Sequence, residues 1–200
     1  MNKINYDLIM QNTIKNFNGK KPSLLLHSCC APCSSSVIER IKDFFSITVF
    51  YYNPNIFPEQ EYIIRKEEQI KYLKSIGIPY IEGDYDKNSF YNAIEGLECE
   101  KEGGKRCYAC YNFRMEKTAI KGKELNFDYF CTTLSVSPHK NSQYVNDIGS
   151  MLQEKYNIKF LHSDFKKRQG FLRSTQLSKE NNFYRQNYCG CEYGIRKEEF

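Results

Sequence analysis

The spacing of apolar positions changes repeatedly along the chain. After Pro22, residues 23–28 read Ser-Leu-Leu-Leu-His-Ser, a short apolar run, and residues 34–42 then place Val37, Ile38 and Ile41 at helical spacing. This predicts strand, turn, helix. Residues 47–52, rich in β-branched and aromatic side chains, predict a second strand closed by the turn Asn53-Pro54-Asn55. A helix is expected over 59–76: Pro58, Glu59 and Glu61 suit its positive amino end, Ile63, Ile70 and Leu73 share a face, and Gly77 stops it. Residues 79–81 supply a third strand.

Further on, 109–125 reads as a helix, 129–133 as a strand, 141–156 as a helix with Val145, Ile148 and Leu152 on one stripe, and 159–161 as a short strand. Residues 84–106, with Gly96, Gly103 and Gly104, lose clear period and predict an irregular, mobile stretch over the sheet edge. The tail from Arg168 onward reads as mixed helical and irregular. This alternation predicts an α/β fold, a parallel sheet with helices on both faces joined by right-handed crossovers. A length of 200 residues fits one domain over 1–200, with an α/β core at 1–165 and a basic, aromatic segment at 166–200.

In such a fold the loop after the first strand opens at the carboxyl edge of the sheet, where ligands bind. Cys29, Cys30 and Cys33 therefore belong at a site rim, faced by the amide groups of the following helix. Two more pairs stand far off, Cys107-Tyr-Ala-Cys110 and Cys189-Gly-Cys191. The first twenty residues hold no apolar run suited to a signal peptide or membrane span, so a cytoplasmic protein without membrane attachment is expected. In that reducing compartment nine cysteines point to metal or redox chemistry rather than to a disulfide framework.

If Cys29, Cys30, Cys107 and Cys110 converge, four thiolates can hold a tetrahedral zinc or a [4Fe-4S] cluster. Adjacent cysteines suit neighbouring irons better than one zinc. A thioredoxin-like reading of Cys107 and Cys110 lacks the strand that should precede it. A bridge between Cys189 and Cys191 would be strained and easily reduced, as redox chemistry needs; alternatively these thiolates bind a second metal, with Cys33 as a further ligand. Cys131 reads as a core residue, and Cys99 has no evident partner. His27 and His139 read as hydrogen-bonded structural residues. Asp84, Asp86 and Asp164 fall where loops could meet the cysteines, able there to pass a proton or bind metal, against the ordinary expectation of surface carboxylates.

A net charge of +5 is modest, but its distribution is uneven. Lys166, Lys167, Arg168, Arg173, Lys179 and Arg185 crowd the last third with Phe165, Phe171, Phe183, Tyr184 and Tyr188, a mixture that suits RNA. Arg106 can serve either a cluster or a phosphate.

Several separate blocks in one order carry a resemblance: residues 27–33 (His-Ser-Cys-Cys-Ala-Pro-Cys), 106–110 (Arg-Cys-Tyr-Ala-Cys) with Arg114, 132–140 (Thr-Thr-Leu-Ser-Val-Ser-Pro-His-Lys), 164–167 (Asp-Phe-Lys-Lys) and 184–191 (Tyr-Arg-Gln-Asn-Tyr-Cys-Gly-Cys). With these the chain resembles the QueH-type epoxyqueuosine reductases. The resemblance implies an adenine-nucleotide α-hydrolase or PP-loop type of fold, with the Cys29-Cys30 turn in the slot of the glycine-rich phosphate loop. It also implies [4Fe-4S] ligation by Cys29, Cys30, Cys107 and Cys110 and a redox-active disulfide between Cys189 and Cys191; a second iron is the competing reading of that last pair.

The implied reaction converts epoxyqueuosine to queuosine at the wobble position of tRNA, the last step in making that base. Two electrons and two protons enter, the epoxide oxygen leaves as water, and a carbon–carbon double bond is left. The implied partners are a tRNA anticodon stem-loop carrying epoxyqueuosine and an electron-donor protein or reductant. Arg106, Arg114, Lys140, Lys166, Lys167, Arg173 and Arg185 are the expected phosphate or base contacts. Two other functions fit the same residues: a zinc-stabilised tRNA-binding module without catalysis, and a thiol–disulfide oxidoreductase.

Overall fold

The computed structural model describes residues 4–195, so positions 1–3 and 196–200 of the expected 1–200 unit and its C-terminal segment lie outside the described residues. Strands β1 (Ser23–His27), β2 (Ser46–Tyr51), β3 (Tyr80–Glu82), β4 (Tyr129–Thr132) and β5 (Lys159–Phe160) form one sheet in the order β3-β2-β1-β4-β5. Every pairing is parallel, with Leu24 of β1 opposite Ile47 on one side and Tyr129 on the other. The chain builds outward from β1 to β2 and β3, then returns to place β4 on its other flank. That reversal makes the carboxyl ends of β1 and β4 a topological switch point, the place where open α/β sheets bind ligands.

The helices are α1 (Tyr6–Lys15), α2 (Ala31–Ile41), α3 (Glu59–Ser75), α4 (Lys87–Ala93), α5 (Lys105–Glu124), α6 (Ser142–Tyr156) and α7 (Gly170–Glu180). They cover both faces of β1, which is why its run of leucines does not alternate with polar residues. Leu24 and Leu26 pack with Val37, Ile38, Ile41, Val49 and Phe165, whereas Leu25 turns to Phe50 and Tyr52. On the α5–α6 side Tyr111, Met115, Phe130, Ile148, Leu152 and Phe160 form a second cluster. Each fully buried Leu contributes about 1.5–3 kcal/mol relative to exposure.

The expected strands are present with ends shifted by a residue or two, and four helical features differ from expectation. The stretch 84–106 is not irregular throughout: Asp86 accepts from Ser89 N at 3.2 Å and caps α4, whose Phe90 is buried together with Ile94 just beyond it. Period was hidden there because the helix is one short amphipathic turn pair between glycines. α5 begins at Lys105 instead of 109, which puts Cys107 and Cys110 one turn apart on one face. α2 begins at Ala31 with Pro32 in its first turn, where the missing N–H has no helical partner to lose, so Cys30 becomes the N-cap. α1 had no counterpart in the sequence reading; Tyr6 and Met10 face inward, and Asp7 pairs with Arg40 and with Arg168.

Candidate functional site

The turn after β1 is set by polar groups from three elements. Ser28 N donates to Phe50 O at 3.0 Å, Asn53 Nδ2 donates to Ser28 O at 2.8 Å, and the Ser28 and Ser34 hydroxyls both donate to Gln69 Oε1, at 2.8 and 3.0 Å. His27 lies between Thr132 Oγ1 (2.9 Å from Nδ1) and Tyr52 O (3.1 Å from Nε2). Burial, reinforced by the Arg114 charge, pulls its pKa down to about 3. A neutral ring that donates from Nε2 to the carbonyl and accepts at Nδ1 is a structural strut. With the turn held, the Sγ atoms of Cys29, Cys30 and Cys33 lie within 4.8 Å of one another at the amino end of α2, and Cys29 and Cys30 are 3.7 Å apart.

Hydrogen bonds from the Cys30 and Cys33 thiols hold Cys29 well below the usual thiol range against the effect of burial, and the charges of Lys140 and Arg114 act in the same direction. Donating to Cys29 pushes Cys30 up to about 12 and Cys33 well above its ordinary value. The triad thus favours the thiolate form of Cys29, with the Cys30 and Cys33 thiols as its donors. A site that favours thiolate in this way is chemically suited to a metal.

Cys107 and Cys110 face a second, smaller space that they share with Cys189, Cys191, Asn55 and Arg106. Gly103 N donates to Cys107 Sγ at 3.1 Å, and burial pushes Cys110 up to about 12 with Arg114 opposing. Cys189 borders both this space and a cavity of about 200 Å³ lined by Cys29, Cys33, Lys140, Arg185 and Gln186. The fold therefore brings all three cysteine groups to one edge of the sheet. Cys189 and Cys191 are free thiols, and there is no disulfide among the described residues.

Arg114, 1% exposed, donates from Nε to Cys110 O at 3.3 Å and from Nη1 to Asn53 Oδ1 at 3.4 Å, while Nη2 has no partner among the described residues. A buried guanidinium is costly without an anion. Its surroundings of sulfur, with N–H donors aimed at Cys107 and at Cys30, whose Sγ accepts from Gln186 Nε2 at 3.2 Å, fit a negatively charged thiolate-bound group.

The other expected site residues divide. Lys140 and Arg185 line the cavity, and Lys167 is exposed. Burial would lower Lys140, but the sulfurs of Cys189, Cys29 and Cys33 override it and hold the ammonium above its ordinary range. Arg106 is buried, donates to the carbonyls of Glu98 and Glu100, and lies 4.8 Å over the Tyr193 ring; together with the burial of Arg114 this makes both arginines interior struts rather than contacts for an RNA backbone. Arg173 is engaged by Glu39 and Glu180, each at 2.8 Å. Lys166 pairs with Asp164 at 2.9 Å, and Asp164 also accepts from the Ser142 hydroxyl at 3.3 Å. Asp84 and Asp86 are exposed and line neither the cavity nor the smaller space, Asp86 being spent on its cap. The sequence marked Asn53 only as a turn residue and gave no site role to it or to Arg65, Gln69 or Gln186; a lone polar residue on a helix or loop carries no local signal of what it will face.

A family model described as "Epoxyqueuosine reductase QueH" matches residues 24–197. The chain belongs to the epoxyqueuosine reductase QueH family. A QueH relative from Streptococcus pyogenes serotype M1 is 43% identical over 204 residues, covering 98% of this chain and 80% of the relative. QueH relatives from Staphylococcus epidermidis (38% identical, 98% of this chain, 87% of the relative) and Thermotoga maritima (36%, 86% and 90%) agree. Among solved structures, the U34-tRNA thiolase NcsA from Methanococcus maripaludis with its [4Fe-4S] cluster superposes with a TM-score of 0.53 at 10% identity, over 94% of this chain and 68% of that one. That likeness concerns the fold alone, a parallel five-stranded sheet with flanking helices. No helix among the described residues of this QueH chain is long and apolar enough to cross a membrane.

Proposed function

We propose that this chain is an oxidoreductase that reduces epoxyqueuosine to queuosine at the wobble position of tRNA, with an iron–sulfur cofactor held by its buried thiolates. The observation that carries the reading is the meeting of Cys29, Cys33 and Cys189 with Lys140 and Arg185 around one cavity at the switch point of the sheet. The reaction opens both carbon–oxygen bonds of the epoxide, takes up two electrons and two protons, and releases the oxygen as water. An iron–sulfur group, when bound, supplies electrons singly.

Cys29, Cys30, Cys107 and Cys110 are the proposed ligands of a [4Fe-4S] cluster. The amino end of α2, Gly103 N–H and Gln186 Nε2 would offset the charge of these thiolates. Cys189 and Cys191 are the proposed redox-active pair, able to close a disulfide or, with Cys33, to take a second iron. Lys140, which lines the cavity, is the proposed group whose ammonium would hold the charge building on the epoxide oxygen and give it a proton. Arg185, Lys167 and the exposed rings of Phe171 and Tyr184 form the surface proposed to take the anticodon loop, whose unpaired bases can be splayed out and stacked. A donor protein or small reductant supplies the electrons, and a tRNA substrate sets the reaction in the cytoplasm.

The test is anaerobic incubation of reconstituted protein with epoxyqueuosine-bearing tRNA and a strong reductant, followed by nucleoside mass analysis. The parent protein should remove the mass of one oxygen, and Cys30→Ala and Cys189→Ala should not. Intact epoxyqueuosine after incubation with the parent protein would overturn the reading.

A further inference from the structure

Residues 183–191 carry Cys189 and Cys191 but form neither strand nor helix. One face of α3 holds this arm. Tyr72, Glu68, Arg65 and Glu61 are spaced four, three and four residues apart, so they stack in one stripe, and each meets the arm in turn. The Phe183 ring packs edge-on against Tyr72 with centroids 5.0 Å apart. Tyr184 N donates to Glu68 Oε1 at 2.6 Å, and the Tyr184 hydroxyl donates to Glu61 Oε2 at 2.8 Å. Arg65 Nη1 donates to Cys189 O at 3.3 Å, its Cζ lies 5.1 Å from the Tyr188 ring centre, and its Nε donates to Glu61 Oε1 at 2.6 Å.

Past Arg65 the arm is pinned again, where Phe57 N donates to Gly190 O at 2.8 Å. Gly190 has φ +134°, and a Cβ there would stand 3.1 Å from Ile56 and 3.3 Å from Arg65 Nη1, so glycine permits both the backbone shape and the close approach. Arg65 is 1% exposed. A buried ion pair is a weak source of stability compared with apolar packing of the same volume, but it fixes geometry closely. At this place it fixes the backbone of the residue that borders both the thiol spaces and the cavity.

We infer that α3 is a clamp for the C-terminal arm, and that Arg65 is a positioning residue that sets where Cys189 stands across the cavity from Cys29 and Cys33. The inference deepens the proposed function, because it gives that reading its means of aligning the Cys189–Cys191 pair with the other sulfurs. Arg65 acts through the Cys189 carbonyl.

The test compares reconstituted full-length protein with Arg65→Gln, Arg65→Lys and Tyr184→Phe by hydrogen-exchange mass spectrometry, thermal unfolding and turnover of epoxyqueuosine tRNA. Losing the charged hydrogen bond in Arg65→Gln should speed amide exchange across 184–191 by about tenfold, with global unfolding changed far less. In the same variant kcat should fall while KM for tRNA holds, and Arg65→Lys should recover part of both effects. Tyr184→Phe removes the hydroxyl's bond to Glu61 Oε2 but leaves Arg65 and its own bonds to Glu61 Oε1 and Cys189 O in place, and should move exchange in the same direction by a smaller factor; it decides the matter if Arg65→Gln does not fold. Unchanged exchange across 184–191 in every folded variant overturns the clamp. If exchange rises but the parent protein does not convert epoxyqueuosine, the clamp stands and the functional reading falls.

Discussion

Gln186 Nε2 donates to Cys30 Sγ across 3.2 Å, joining the arm that bears Cys189 to the first thiol turn through residues 156 positions apart. A hydrogen bond to a ligating sulfur favours the more negative, reduced state of an iron–sulfur group and so raises its potential. Gln186→Leu keeps the bulk and removes the donor. Redox titration of the reconstituted variant should give a midpoint more negative than that of the parent, with iron content unchanged.

Arg185 and Arg173 are both basic residues of the tail but differ in what occupies them. Arg185 is exposed, lines the cavity and donates from Nη1 only to neutral groups, Ser178 Oγ at 3.0 Å and Ser174 O at 3.4 Å, whereas Arg173 is forked onto Glu39 and paired with Glu180. Arg185→Ala should weaken tRNA binding and reduce the slope of log affinity against log salt by roughly one. Arg173→Ala should leave that slope nearly unchanged. Filter binding over a range of salt concentrations distinguishes the two.

Gly149 on α6 faces the Phe160 ring so closely that an added Cβ would come within 2.6 Å of three ring carbons. Gly149→Ala therefore forces the ring or the helix to shift. Urea denaturation should show a loss of about 1–3 kcal/mol, despite the better helix propensity of alanine.

His162 is half-buried beside Ser150 Oγ, 2.8 Å from Nε2, and burial lowers its pKa from 6.5. The unfolded chain takes a proton near pH 6.5 that the folded chain refuses, so this contribution to stability is fully present above that pH. It is lost as pH falls below that value and levels off under the lowered folded value. Urea midpoints of the metal-free protein should drop between about pH 8 and about pH 5.5, and His162→Phe should flatten part of that drop.

Metal content separates catalysis from a structural zinc role. Anaerobically purified protein should be brown, absorb broadly near 400 nm and carry about four irons per cluster, and chelation should abolish epoxyqueuosine reduction. A colourless protein with one zinc that still binds tRNA would instead support an RNA-binding module.

Much of the sheet was legible because strand and helix periods are local properties. Leu24, Leu25 and Leu26 form an uninterrupted apolar run only because both faces of β1 are covered, and that run marks a buried parallel strand in the chain itself. α4 was not legible: seven residues with one buried aromatic give no repeat to detect, and its cap at Asp86 looked like a site carboxylate. Arg106 and Arg173 read as free charges because a sequence does not say whether a guanidinium will meet phosphate, a loop carbonyl or a glutamate.

The cysteine spacings and the blocks around them determined by themselves the family and the kind of chemistry, since ligand type and short spacing survive any folding. Which sulfurs meet was decided only by the tertiary structure. Return of the chain past β1 to β4 and the laying of the arm along α3 bring Cys29, Cys33 and Cys189 to one cavity, and put Cys107 and Cys110 beside Cys191. The physical reason is that such approaches depend on sheet order and on buried contacts such as Arg65 to Cys189 O, which join residues 124 positions apart and leave no periodic trace in the sequence.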